Sequence, residues 1–534
     1  MTEVQSERVR RVVVVGGGVS GLAAAHRLLE RGASAGGRVE VLVLEAGARA
    51  GGIVRTQRRE GFLLEGGPDS FITEKPAALE LARRVGLGAR LLETNAEHRR
   101  SFVVGGGRLH PTPEGFQLLA PSRLWPFLTS KIFSWPGKAR MALELLLPRG
   151  DVTADESLAA FVRRRFGREA LERMAQPMVG GIYTADPELL SLRATMPRFL
   201  EMERAHRSLI WAMWKSARER SGDGPARALR DGDTTAGDNL RAAAGPNGAR
   251  RASGARYNLF LSFDGGMQTL TDRLAESLPA GVLRLNTPVE SVSFDRAARR
   301  WRVHLRRTEQ TRNAPHVSPG ASSVSSNTTV NGPAEAPGVV EADALCLALP
   351  AYASSELLRD VDAQLAAELE AVPYASTATV NLAYRRADIP HPLDGFGFVV
   401  PFAERRATLA CTFSSVKFAG RAPEGHALLR AFVGGALQPE MFALDDDAMV
   451  TAVRQDLRAL LGVEAPPLFT HVERWPRSMA QYHVGHLARV ERIRSRLSAL
   501  PGLRLAGNAY TGAGLPDCIR SGETAADELA SSES

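Results

Sequence analysis

The chain has 534 residues, 44% of them hydrophobic and 24% charged, which is an ordinary globular composition. This excludes a fibrous or wholly disordered protein, and the length points to two or three folding units sharing a cleft. The net charge of +8 is carried mostly by arginines spread along the chain without a dense cluster, so no nucleic-acid partner is expected.

Cys346, Cys411 and Cys518 form no CxxC pair. Neither a disulfide framework nor a zinc site is expected, and the count fits a reducing, cytoplasmic setting. In chain order, Val12–Val15 is a short apolar run, too brief for a signal sequence, and reads as a buried parallel strand. Gly21 to Leu29 reads as a helix, Ala33–Arg38 as a small insertion, and Val39–Leu44 as a second strand ending at Glu45. Residues 115–216 read as a separate, mostly helical unit. There Trp125, Phe127, Phe133 and Trp135 interleave with Arg123, Lys131, Lys138 and Arg140, as in segments that lie on a membrane surface. Residues 217–255 and 307–338 are of low complexity and are expected to be disordered insertions. From Tyr257 onward, short strands recur at Arg284–Asn286, Val289–Phe294, Trp301–Arg306, Ala344–Leu349, Thr379–Tyr384, Ala407–Phe413 and Leu428–Val433. They are expected to build one antiparallel sheet. A strand at Leu503–Ala506, a glycine loop and a helix from Cys518 close the chain. No stretch approaches the roughly 18 apolar residues of a membrane span.

Gly16-Gly17-Gly18-Val19-Ser20-Gly21 places GxGxxG directly after a strand and at the opening of a helix. The first glycine permits the tight turn and the second lets a pyrophosphate approach the backbone. The third allows close packing of helix on strand, while the helix amides face the phosphates. Glu45, at the end of the second strand, suits the ribose hydroxyls and disfavours a 2′-phosphate. Ala46-Gly47-Ala48-Arg49-Ala50-Gly51-Gly52 then makes a second glycine turn, for which an NAD dehydrogenase has no use. Glu65-Gly66-Gly67-Pro68-Asp69-Ser70-Phe71 adds a further glycine pair, where the backbone carries no side chain and other groups can approach closely.

The Glu45–Gly52 run resembles the amine oxidase superfamily of flavoproteins. Gly507-Asn508-Ala509-Tyr510-Thr511-Gly512-Ala513-Gly514-Leu515-Pro516-Asp517-Cys518-Ile519 resembles, within it, the protoporphyrinogen and coproporphyrinogen oxidases. Four further segments are similar to that family: Gly181 to Leu192, His206 to Ile210, Phe263 to Met267, and Arg474-Trp475-Pro476 with Gln481 to His486. The resemblance implies an α/β architecture with a Rossmann-like FAD-binding domain (8–114 and 475–534). A mostly helical domain is inserted at 115–216, and an antiparallel-sheet substrate domain covers 339–474, with 256–306 shared between FAD and substrate.

It further implies FAD contacts at Gly16, Gly18, Val19, Ser20, Gly21, Glu45, Ala46, Arg49, Gly51, Gly52, Gly67, Pro68, Asp69, Ser70, Val289, Trp475, Gly507, Gly514, Leu515 and Pro516. Arg100 would meet a substrate propionate, and Gly181 would face the tetrapyrrole. Six hydrogens would leave a porphyrinogen in three two-electron steps, with hydride passing to flavin N5 and oxygen or a quinone as final acceptor. No residue is expected to act as a base. His483 and His486 have HxxH spacing but no third ligand, so a structural role is expected and no metal. The implied location is the cytoplasm, or the inner face of the membrane as a peripheral protein. Two other classes stay open: another flavin amine oxidase or carotenoid desaturase, and a non-enzymatic binding protein of the same fold. The preferred porphyrinogen, the acceptor and the oligomeric state are not legible.

Overall fold

The β-branched runs Arg10–Val15 and Val39–Leu44 pair in parallel, with Val12 beside Val41 and Val15 beside Leu44. They form the centre of a five-stranded parallel sheet in the order Leu283–Arg284, Val39–Leu44, Arg10–Val15, Ala344–Leu347, Leu503–Leu505. The computed structural model describes residues 9–35, 39–113, 116–117, 120–121, 124–151, 154–222, 260–306 and 338–531. Alternate side chains of the central strand enter different cores. Val12 and Val14 pack with Leu22, Ala25 and Ile519 of the helices Val19–Ala35 and Leu515–Ser531. Val13 and Val15 belong to a core that continues into the helical segment through Phe161, Met174 and Leu209. Burial on both faces is why these strands are continuously apolar rather than alternating.

The second sheet has seven strands, in the order Phe469–Ala480, Tyr374–Arg385, His426–Gly434, Thr408–Phe413, Gly397–Val399, Phe102–Gly105, Arg108–Pro111. All its neighbours are antiparallel except Gly397–Val399 with Phe102–Gly105. The single antiparallel platform expected from the later strands therefore divides in three. Leu283–Arg284 and Ala344–Leu347 join the parallel sheet, and Val289–Asp295, Arg300–Leu305 and Val339–Ala342 form a small sheet of their own. A strand's sequence does not name its neighbour, although burial of all four residues of Ala344–Leu347 is what a doubly covered parallel strand shows. The strand Phe469–Ala480 runs across the expected boundary at 474/475.

Helices occupy most of the segment between Leu124 and Gly222. The last of them, Leu209–Gly222, runs past the expected end at 216, because Ala217, Glu219 and Arg220 are good helix formers. The remainder of the two low-complexity stretches lies outside the described residues, apart from Gly338. Ala33 to Ala35 continue the first helix instead of opening an insertion. The final helix starts at Leu515, not Cys518, with Pro516 suited to its first turn.

Candidate active site

The first glycine turn sits where the strand Arg10–Val15 hands over to the helix Val19–Ala35. The Gly16 N–H donates to Leu44 O at 2.8 Å with Gly16 at φ +105°, a conformation that favours glycine. A β-carbon on Gly21 would overlap the Gly16 carbonyl oxygen, whereas one on Gly18 would meet nothing within 4 Å. The open side of the turn is thus at Gly18, and the helix beginning with Val19 and Ser20 carries no acid in its first turn. A helix N-terminus with free space and no acid suits a pyrophosphate.

Glu45, expected at the adenosine side, ties the two glycine turns together. Its carboxylate accepts the Gly17 N–H at 2.6 Å and the Gly47 N–H at 2.7 Å, which folds Ala46 into a tight turn. Glu45 O accepts from the Thr287 N–H, which brings the start of the strand at Val289 to the same edge. Arg49 is turned onto its own loop: it donates to Ala50 O and Val54 O at 3.0 Å each and to Gly52 O at 2.5 Å. Its role in this geometry is to shape the turn at Gly51 and Gly52. That turn is joined to the first by the Gly51 N–H donating to Gly17 O.

The loop from Glu65 to Ser70 is clamped from two sides. The buried Glu65 carboxylate accepts from Thr56 Oγ1 and the Met267 N–H, both at 2.8 Å, and burial pushes its carboxyl up. From the seven-stranded sheet, Thr379 Oγ1 and Trp475 Nε1 donate to Gly66 O at 3.0 and 2.9 Å. Asn381 Nδ2 reaches Glu65 O at 3.4 Å, and the buried Arg430 donates to Gly67 O. Trp475 thus holds the loop through Gly66 O. Next to Pro68, Asp69 receives Lys417 Nζ at 2.9 Å and Ser70 Oγ at 2.7 Å. Burial works against this carboxylate, but Lys417 and Arg430 outweigh it and hold it well below the usual range. Sequence reasoning missed Thr379, Asn381, Lys417 and Arg430. The available signal was polar residues at alternate positions of an otherwise apolar strand, since Thr379 and Asn381 are both buried.

The C-terminal segment packs against the first glycine turn, with Gly522 beside Ser20 O. The Gly507 N–H donates to Ser521 Oγ at 3.1 Å, and Gly514 O accepts from the N–H groups of Asp517 and Cys518 at 3.0 Å each. Leu515 and Pro516 open the helix beside them. Tyr482 Oη donates to Asn508 O at 2.5 Å and stacks on His486 at 4.3 Å. Among the described residues no cluster could hold a metal ion.

Two sequence candidates lie outside this cradle. Gly181 is in the last turn of the helix Gln176–Tyr183, whose left-handed cap is Thr184, and its α-carbon faces Val399 of the seven-stranded sheet. Arg100 is half-exposed and already paired: its Nε donates to Asp394 O at 2.6 Å and its Nη2 meets the Asp394 carboxylate.

A parallel sheet with an open glycine turn and an acid at its second strand, joined to a second sheet that clamps a glycine loop, defines an FAD-dependent oxidoreductase. The chain belongs to the flavin containing amine oxidoreductase family, whose pattern matches residues 19–530. It is 36% identical over 97% of its length to coproporphyrinogen III oxidase of Propionibacterium freudenreichii subsp. freudenreichii, covering 90% of that protein. Its identity to coproporphyrinogen III oxidase of Bacillus subtilis (strain 168) is 31%, over 98% of both chains. A crystal structure from Exiguobacterium sp. 255-15, provisionally named a protoporphyrinogen oxidase, superposes with a TM-score of 0.77 at 29% identity, covering 98% of this chain and 99% of that one.

Proposed function

We propose that this chain oxidises coproporphyrinogen III to the porphyrin in haem biosynthesis, with oxygen or a quinone as final acceptor. The observation that carries this reading is the identity to the two bacterial coproporphyrinogen III oxidases across almost the entire chain. The sheet geometry agrees with a flat, apolar substrate. Thr379, Phe432, Ala410 and Val399 are successive cross-strand neighbours and so share one face. That row leads from the Gly66 clamp to the helix bearing Gly181. FAD, when bound, takes up the hydride. The protein's part is to hold the macrocycle on this row and to keep the Glu65–Ser70 loop fixed. Arg100, beside Asp394, would meet a propionate at the cleft edge.

A second reading, protoporphyrinogen as substrate, is favoured by the solved Exiguobacterium relative. Initial rates on the two porphyrinogens, followed by porphyrin fluorescence, decide between them. The expected result is the higher kcat/KM on coproporphyrinogen. The reverse ranking selects protoporphyrinogen, and oxidation of neither returns the chain to the wider amine oxidase class. Oxygen uptake during turnover, with and without added quinone, assigns the acceptor.

The location we propose is the cytoplasm, with peripheral contact at the inner face of the membrane. Among the described residues no helix is long and apolar enough to cross a membrane. Trp125 and Trp135 are 75% and 71% exposed, near exposed Leu143 and Leu146, as an interfacial surface would be.

A further inference from the structure

We infer that the ion pair between Lys75 and Asp517 sets the reduction potential of the flavin. Asp517 lies in the first turn of the helix Leu515–Ser531, its carboxylate almost wholly buried. Lys75 Nζ meets one oxygen at 2.5 Å and Arg520 Nη2 meets the other at 2.8 Å. Lys75 comes from the far side of the cleft, a few residues beyond the clamped Glu65–Ser70 loop, and is about half exposed. The pair therefore bridges the two loops that bound the ring end of the cofactor.

The position of that end follows from the packing. Gly522 lies against Ser20 O in the first turn of the helix Val19–Ala35, so tightly that a β-carbon would collide. Leu515 is seven residues earlier, roughly 10 Å along the helix axis at 1.5 Å per residue. With the adenosine side held at Glu45 and the pyrophosphate at Gly18, the cofactor must extend towards the start of this helix. Side chains at Gly512 or Gly514 would press on the Asp517 carboxylate, which therefore underlies the glycine loop facing the ring. Its field reaches the site: Tyr183 is pushed up to about 12, first by burial and then by the Asp517 charge, and Cys518 is raised in the same way. Tyr482 is raised chiefly by burial, with Asp517 a smaller contributor behind Cys518 and Tyr183.

A helix N-terminus favours the negative charge that a flavin gains on reduction. A buried carboxylate in that first turn opposes it, and Lys75 and Arg520 restore the balance. This tuning concerns charge near the ring and not which donor reduces it. It rests on FAD in the cradle alone, and the potential can be measured without any porphyrinogen.

The test is dithionite titration of purified, flavin-loaded protein against a reference dye. Lys75→Met should lower the midpoint potential and Asp517→Asn should raise it. Each should change the reduction equilibrium by about ten-fold, which is about 30 mV for a two-electron couple. The double variant should return near wild type. A merely structural pair would instead loosen flavin binding in both single variants, with no opposed shifts. Reduction equilibria within two-fold of wild type in both, or shifts of the same sign, overturn the inference. If Asp517→Asn does not fold, the half-exposed Lys75→Met decides alone, and an unchanged potential there overturns it. Wild-type protein without flavin overturns the cradle and the inference together.

Discussion

Gly18 and Gly21 are three residues apart, and the structure asks different things of them. Beside Gly18 there is open space on the cofactor side, while at Gly21 a β-carbon meets the Gly16 carbonyl. Gly18→Ala should therefore fold with nearly unchanged thermal stability yet bind FAD at least about ten-fold more weakly, the loss of roughly 1.4 kcal/mol of phosphate contact. Gly21→Ala should destabilise the protein itself. Thermal melts with and without added FAD separate the two. Asp69 offers a test by pH. Its folded-state carboxyl is held low, so its contribution is present above the ordinary Asp value of about 4 and is lost as pH falls below it. The Tm deficit of Asp69→Asn should thus be largest at neutral pH and shrink below about pH 4. A deficit that does not change with pH would mean that Asp69 acts through shape alone. Arg100 is half-exposed and shared with Asp394, so a propionate gains less there than at a free, buried arginine. Arg100→Ala should raise KM by no more than about ten-fold and leave kcat and flavin content unchanged. Steady-state kinetics check this.

The segment Gln481–His486 acts as a pin between three units. Ser191 N–H donates to Tyr482 O and Val484 N–H to Leu189 O, which ties it to the helical segment. The Gln481 N–H donates to Pro373 O beside the seven-stranded sheet, and Tyr482 Oη holds the C-terminal loop at Asn508 O. His486, the buried end of the pin, is lowered to about 4, chiefly by burial and then by Arg489. Among the described residues its Nε2 has no hydrogen-bond partner. A histidine lowered in the folded state takes its proton first in the unfolded chain. Its neutral burial is therefore fully tolerated above about pH 6.5 and becomes destabilising as pH falls from there towards 4. His486→Phe keeps a ring on Tyr482 and removes the titration. Its stability should fall less steeply than wild type between these pH values, as read from urea unfolding. Parallel curves would show that another group titrates.

The helical segment joins the core of the parallel sheet through one face and offers the other to solvent. Phe127 and Phe133 turn inward, with ring centroids 5.7 Å apart, while Trp125 and Trp135 turn outward. Of the cations expected beside them, Arg123 lies outside the described residues and Lys131 is exposed. Lys138 donates to Leu128 O at 2.7 Å, and Arg140 donates to the carbonyls of Arg163, Arg164 and Arg165. Both are engaged within the fold, so membrane contact would rest on aromatic insertion more than on charge. Flotation with liposomes should accordingly persist at high salt and be lost in Trp125→Ser/Trp135→Ser. Loss of flotation with salt alone would assign it to electrostatics, and no flotation at low salt would remove the membrane from the account.

The sequence by itself determined the cofactor half of the molecule. A glycine that must adopt positive φ, a glycine that must admit another backbone, and an acid that ends a strand are local requirements, and each leaves its residue type in place. The family resemblance was legible for the same reason, since its motifs at Glu45–Gly52 and Gly507–Ile519 are short turns. Only the tertiary structure decided what comes together from afar. The division of the later strands among three sheets depends on pairing, which no strand encodes alone. Thr379, Asn381 and Arg430 come to hold the Glu65–Ser70 loop across hundreds of residues, and their polarity in an apolar sheet has meaning only once Gly66 O and Gly67 O lie against it. Arg49 and Arg100, read from the sequence as ligand contacts, also donate to their own loop and to Asp394. An arginine takes the nearest acceptor in space, and that neighbour is fixed by packing.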